Sequence, residues 1–330
     1  ISAAQTTKID TGTPTKPTIT GGSTTWESDD ICLSRFSMST PSTSASGIQK
    51  YQYYISESST TPAEGSPNWK DYNANICWSY FPGIKGYYFV RAVNNVGKVS
   101  QASAPQQFKI DNTEPALTAN ATVNALVKGT SAAPMNYFTI TTNYDSSLSG
   151  GTTTCKVGST TVSNLNTLAV GNYTLTCTMK TGAGKTASAS TKLVITDQAI
   201  SFANNSWSYI SSMVKQGNGQ LYKVGDTKEV TVSGYGTFTV RVANTSTPSQ
   251  CTTTGFSQTS CGFVVEFVDI ITTRYMNNTA TVVGGWPASS MRSFLNTTIY
   301  NALPTDLKNV ITGTYVVSSH GNSDSANFVT

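Results

Sequence analysis

A single histidine, His320, serves the whole 330-residue chain, and Lys, Arg, Asp and Glu together supply only 12% of it. Chemistry that needs clustered imidazoles or carboxylates has little to draw on. With one imidazole and no Cys-x-x-Cys pair, the composition argues against a tetrahedral zinc set, and no cofactor is expected. No Walker loop or Rossmann glycine pattern appears. No stretch approaches the roughly 18 to 20 apolar residues of a membrane-spanning helix. Basic residues exceed acidic ones by only 4 and nowhere cluster, which removes the footprint of a nucleic-acid binder. Disorder is excluded on other grounds: aromatics reach 10% while net charge stays small. No signal-peptide pattern opens the chain and Ile1 stands first, so the sequence reads as a processed or excised product.

What is abundant is hydroxyl. Serine and threonine occupy 94 positions, more than twice the charged total. The six cysteines, Cys32, Cys77, Cys155, Cys177, Cys251 and Cys261, admit fifteen pairings. They fall two to a segment, which favours Cys32–Cys77, Cys155–Cys177 and Cys251–Cys261. An even count in so polar a chain points to an oxidising, extracellular compartment.

The pattern Ile-Asp-x-x-x-Pro occurs at Ile9–Pro14 and again at Ile110–Pro115. That interval of about 100 residues is the size of one small β-sandwich. In the first segment, residues 86–97 read as a strand and turn, with Tyr88, Val90 and Ala92 facing one side and Tyr87, Phe89 and Arg91 the other. Asn94 to Gly97 supply the turn, and Ile48–Ile55 alternates in the same way. In the second segment, Tyr173, Leu175, Cys177 and Met179 point inward with threonines between them, Gly182–Lys185 turns, and Thr191–Ile195 closes the module. Threonine on the outer face forms strand readily and keeps it soluble without charge.

After residue 198 the pattern changes to α+β. Ser206 is placed to cap a helix carrying Trp207, Ile210 and Val214, ended by Gly217 and Gly219. Strands are expected at Glu229–Val232 and Thr237–Ala243. The apolar run Phe263–Ile271 reads as a strand buried on both faces. A helix is expected over Ala288–Ala302, with Pro287 before it, Pro304 after it, and Met291, Phe294, Leu295 and Ile299 on one face. Asp306–Ile311 offers a further helical turn. The expected class is therefore mainly β: two immunoglobulin-like β-sandwiches, residues 1–113 and 114–197, then an α+β domain, residues 198–330.

The Tyr-x-Val-x-Ala strand at Tyr88–Ala92 before the Asn94–Gly97 turn resembles a fibronectin type III or bacterial immunoglobulin-like domain. Gly171-Asn-Tyr-Thr-Leu-Thr-Cys177 resembles another bacterial immunoglobulin-like repeat. Tyr222-Lys-Val-Gly-Asp226, Phe263–Ile270 and Gly284-Gly-Trp-Pro-Ala-Ser-Ser-Met-Arg-Ser-Phe-Leu-Asn296 are similar to a bacterial surface-domain family of unassigned function. That family is common in secreted proteins of gut Firmicutes and C-type-lectin-like in character. The likeness implies a further lectin-like segment that this sequence does not show before Thr330, so the third domain is expected either to be truncated here or to be completed by another chain or segment. It implies no catalytic residues.

Candidate chemistry is sparse. His320 lies among Ser318, Ser319, Asp324 and Ser325, a combination that only a folded triad would make meaningful, and reads as an exposed loop histidine. Glu266 and Asp269 are the carboxylates a glycosidase would need, but three positions apart on a strand they face opposite ways, and Glu266 is expected to pair with Arg241 or Arg292. Glu27, Asp29 and Asp30 form an acidic patch without calcium-loop spacing. Trp286, Arg292 and His320 are the candidate ligand-binding residues, Trp286 either stacking on a sugar or anchoring the core. Trp26, Trp69, Trp78 and Trp207 read as packing residues. The Asn-x-Ser/Thr sites at Asn120, Asn172, Asn204, Asn244, Asn277 and Asn296 arise readily in so hydroxyl-rich a chain.

Taken together, the sequence predicts a non-enzymatic protein of the bacterial cell surface. It would be a stalk-and-head adhesin or an exposed filament subunit, with a host or cell-surface glycan or protein as ligand and its own copies as possible filament partners. The competing readings are accessory modules of a secreted carbohydrate-active enzyme or peptidase, and a phage virion decoration protein.

Overall fold

The computed structural model of the chain describes residues 9–28, 31–39, 44–78, 83–141, 151–314, 316–318 and 327–329. It is mainly β. Contacts gather the chain into two compact units. One comprises Ile1–Thr122, Ser131–Leu165 and Thr174–Thr191; the other comprises Val123–Thr130, Asn166–Tyr173 and Lys192–Thr330.

In the first unit, β1 (Thr18–Thr20) pairs with β3 (Ser37–Ser39), and β2 (Ile31–Cys32) with β6 (Cys77–Trp78). A four-stranded antiparallel sheet, ordered β5-β4-β7-β8, is built from Ile48–Ser56 (β4), Lys70–Asp71 (β5), Gly83–Asn94 (β7) and Gln106–Asp111 (β8). Alternation along β7 turns Tyr88 and Val90 into one core with Ile19, Ile31, Leu33, Phe108 and Ile110, and Tyr88 stacks on Phe36 at 4.2 Å. The opposite side of β7 is buried too. Phe89 is fully covered, and the guanidinium of Arg91 lies 4.4 Å over Trp69 while donating to Gln52 Oε1 and the Glu64 carbonyl. A planar cation that stacks and keeps its donors engaged tolerates such burial. Gly86 is required where β7 meets β8, because a Cβ there would sit 2.6 Å from the Phe108 ring. Asn94 closes the turn after β7, its Oδ1 accepting from the N–H groups of Val96 and Lys98, with Gly97 at φ +84°. Cys32 and Cys77 face each other across β2 and β6 and are bridged.

The chain continues with β9 (Ala116–Ala119), which pairs with β11 (Phe138–Thr141). A five-stranded sheet follows, ordered β10-β15-β14-β12-β13: Val123–Val127 (β10), Thr152–Val157 (β12), Thr160–Thr161 (β13), Gly171–Lys180 (β14) and Thr186–Thr196 (β15). Along β14 the expected alternation holds from Leu175 onward: Leu175, Cys177 and Met179 are fully buried and Thr178 is exposed, whereas Tyr173, expected inward as well, is only half-buried. Cys155 stands directly opposite Cys177 and is bridged to it. On the outer face Thr176 pairs with Ser190 and Thr178 with Ser188, each at 2.7 Å between hydroxyls.

In the second unit, α1 (Trp207–Lys215) starts where Ser206 Oγ accepts from the Tyr209 N–H, and Gly217 follows at φ +71°. Trp207, Ile210 and Met213 pack onto a three-stranded antiparallel sheet: β16 (Thr227–Val232), β17 (Gly236–Asn244) and β18 (Val264–Phe267). The long apolar run corrects the sequence reading. Only Val264–Phe267 is strand, it lies at the sheet edge, and Val268 and Ile270 are 47% and 79% exposed. Continuous apolarity mimics a doubly buried strand, but with a partner on one side only the pairing stops after four residues.

The expected helix also differs. Gly285–Ala288 forms a separate turn, α2, that contains Pro287; the chain is extended at Ser289, whose Oγ caps α3 (Ser290–Phe294) by accepting from the Arg292 N–H. Leu295–Ile299 continues as a π segment into α4 (Tyr300–Ala302), and Thr305–Lys308 forms α5. The widened turn shifts the 3.6-residue register, so Leu295 is 39% exposed while Ile299 stays buried. The last described strands, β19 (Val316–Ser318) and β20 (Asn327–Val329), pair antiparallel.

Candidate functional site

A cleft of about 780 Å³ in the second unit opens between α1, β18 and the segment after α5. Its floor is apolar: Ile210 and Val214 from α1, Val265 on β18 and Phe263 just before it, Leu307 and Val310 from the C-terminal side. Amphipathic spacing puts these side chains there, since Ile210 and Val214 are one helical turn apart. The loop above the cleft is shaped by two constraints. Cys251 and Cys261 are bridged, and the Asn244 side-chain amide donates into the carbonyls of Ser246, Ser260 and Gly262 at 2.7 to 2.9 Å.

Along this cleft the outer backbone edge of β18 has no partner strand among the described residues. The Val268 N–H donates to Thr239 O, and Val240 stands opposite Phe267, so the hydrogen-bonded pairs are those of Glu266 and Val268. The N–H and C=O groups of Val265 and Phe267 consequently point away from β17, and no third strand pairs with β18 among the described residues.

The ionisable side chains lining the cleft are Lys215 and Glu266, and Glu266 is ion-paired with Arg241 at 2.6 Å. Perturbed groups nearby serve packing. Burial raises the Tyr222 phenol, which donates to Asn205 Oδ1 at 3.0 Å. Burial, reinforced by Asp197, pushes Tyr209 up to about 12. Burial lowers the Lys228 ammonium, which donates to the carbonyls of Ala203 and Asn205 and lies 5.6 Å from the Trp207 ring. Among the described residues no group of three His, Cys, Asp or Glu is placed to hold a metal, and no cysteine is free. The arrangement suits binding of apolar or extended ligands and contains no described nucleophile–base pair.

The residues singled out from the sequence fall elsewhere. Trp286 is half-buried on α2 and Arg292, on α3, reaches back to the Pro287 carbonyl at 3.5 Å; neither lines the cleft. His320, Asp29 and Asp30 lie outside the described residues; Glu27 is ion-paired with Arg35 at 2.7 Å. Glu266 has the first of its two expected partners, and Asp269 lies beyond the strand, exposed. Trp69 and Trp207 are buried and Trp78 packs on the first core, whereas Trp26 is half-buried beneath Lys109. The cleft residues were legible only as packing positions: Ile210 and Val214 on a capped helix, and Leu307 in a short turn.

No family model matches the chain, and no curated protein matches it. Solved structures overlap it only loosely. The fibronectin(III)-like modules of Clostridium thermocellum CbhA are 12% identical, the match covering 54% of this chain and 93% of that one at a TM-score of 0.24. Chicken CNTN1 FN1-FN3 domains are 13% identical, with 70% and 75% covered and a TM-score of 0.24. The protocadherin gammaB7 EC3-6 structure is 11% identical, with 56% and 51% covered, also at 0.24. At such scores the architecture rests on this chain's own strands and cores. Among the described residues no helix is long and apolar enough to cross a membrane.

Proposed function

We propose that the chain is a non-enzymatic, extracellular surface protein of the adhesin type. Two sandwich modules, residues 1–113 and 114–197, act as a stalk, and residues 198–330 act as a head that takes its ligand along the β18 cleft. One observation carries the reading: each of these segments is closed by its own disulfide, while the cleft of the last has an apolar floor and shows no acid–base pair among the described residues. Disulfides persist in oxidising compartments. An apolar cleft beside open backbone donors and acceptors favours recognition over catalysis. The test is to probe an array of host glycans and matrix proteins with the full chain. Saturable retention on at least one class, weakened by Val214→Lys but not by Lys70→Gln, supports the reading; retention on none contradicts it.

The outward groups of Val265 and Phe267 favour a second reading, a filament subunit whose β18 edge receives a strand from a neighbouring copy. Concentration-dependent growth in solution scattering supports it. A mass that stays monomeric at high concentration removes it.

A further inference from the structure

Away from that cleft, the first unit contains an open recess of about 460 Å³ lined by Trp26, Glu27, Thr152, Lys180, Gly182 and Gly184. Trp26 offers the aromatic surface, with the Lys109 ammonium 5.9 Å from its ring centroid. Lys180 brings a second cation to the wall. The carboxylate in the lining, Glu27, is already held by Arg35 at 2.7 Å, so the described charges leave an excess of positive sign.

The recess opens onto a distinctive sheet face. Thr152 stands opposite Lys180, Thr154 opposite Thr178, and Lys156 opposite Thr176. On β15 the hydroxyls of Ser188 and Ser190 extend the same rows. Across Thr152–Lys156, Thr174–Lys180 and Thr186–Ser190 the outward positions are Ser, Thr or Lys, and β12, β14 and β15 contain no carboxylate at all. Lys156 and Lys180 lie about 13 Å apart along the strand direction, at roughly 3.3 Å per residue. Rows of hydroxyls between two lysines, ending at an aromatic wall, match a polyhydroxylated anion rather than a peptide.

We propose that the recess and this hydroxyl shelf bind an acidic glycan, with a sugar ring on Trp26 and carboxylates meeting Lys180 and Lys156. The inference rests on the surface-binding reading above and adds a second contact, on the sandwiches and separate from the β18 cleft. Sugar rings present an apolar face that an aromatic side chain covers, and ammonium donors bind carboxylates as charge-assisted hydrogen bonds.

The experiment measures retention of the full chain on immobilised polygalacturonate, with neutral dextran as control, in EDTA-containing buffer. Binding to polygalacturonate is expected to fall as NaCl rises from about 0.05 to about 0.3 M. Trp26→Ala and Lys180→Gln are each expected to weaken it about tenfold. Trp26→Phe, which keeps an aromatic face, and Lys70→Gln, on a different sheet, are expected to leave it near the parent value. Thermal unfolding of each variant separates loss of the site from loss of the fold. Equal binding by parent, Trp26→Ala and Lys180→Gln overturns the proposal, as does equal retention on dextran or no retention on polygalacturonate. A chain that still adheres to other array members after these outcomes loses only this site; a chain that adheres to nothing loses the surface-binding reading as well.

Discussion

Glu266 and Arg241 stand directly opposite each other on β18 and β17, the guanidinium 2.6 Å from Oε1, with both side chains about half exposed at 46% and 52%. The pairing occupies the carboxylate that a hydrolytic role would need. It is also a surface pair, screened by water and salt. Glu266→Gln is therefore expected to cost about 0.5 kcal/mol or less in chemical denaturation, and less still at high salt. A loss several times larger would show that the pair does more than bridge an edge strand.

The three disulfides close loops of different length, with sequence separations of 45, 22 and 10 residues. Chain-entropy arithmetic gives contributions of about 4 kcal/mol for Cys32–Cys77, about 3.4 for Cys155–Cys177 and about 2.7 for Cys251–Cys261. Replacing each pair by alanines should reproduce that order in denaturation midpoints. The reverse order would mean that local packing, not loop length, sets their worth.

Tyr88 is fully buried and its hydroxyl has no hydrogen-bond partner among the described residues. Its ring carries the packing, stacked on Phe36. Tyr88→Phe keeps the ring and removes an unsatisfied polar atom, so a gain of about 1 kcal/mol in stability is expected. A loss of similar size would place a partner on that hydroxyl.

Alkali should unfold the protein through its phenols. Burial raises Tyr88 and Tyr222, and burial with Asp197 pushes Tyr209 up to about 12. An unfolded tyrosine ionises near pH 10, roughly. The raised folded values mean that the neutral phenols contribute fully below about pH 10; the contribution falls progressively above it, that of Tyr209 being lost as pH climbs through about 12. Guanidinium midpoints measured from pH 8 to 12 should be flat at first and fall above pH 10. A midpoint unchanged to pH 12 contradicts this.

Period-two alternation made the sandwich strands legible. Leu175, Cys177 and Met179 alternate with threonines, and burial follows that alternation. Ser206 and Gly217 likewise mark both ends of α1. For β7 the alternation separated the two faces, but it could not show that Trp69 covers the face that carries Arg91. Phe263–Ile271 misled because apolarity reports an aversion to water, not the number of neighbouring strands. The π segment at Leu295–Ile299 displaced an apolar face that ideal spacing had drawn correctly up to Phe294. Neither the β18 cleft nor the Trp26 recess was legible, since each gathers residues from elements far apart in sequence.

On the proposed reading, this chain binds a surface ligand and releases it unchanged. The most direct measurement incubates the full chain with the glycan and matrix-protein ligands that retain it, following bound protein and released fragments together by mass spectrometry. Saturable binding with ligand of unchanged mass is the predicted result. Fragments that accumulate with time in proportion to protein concentration would contradict it.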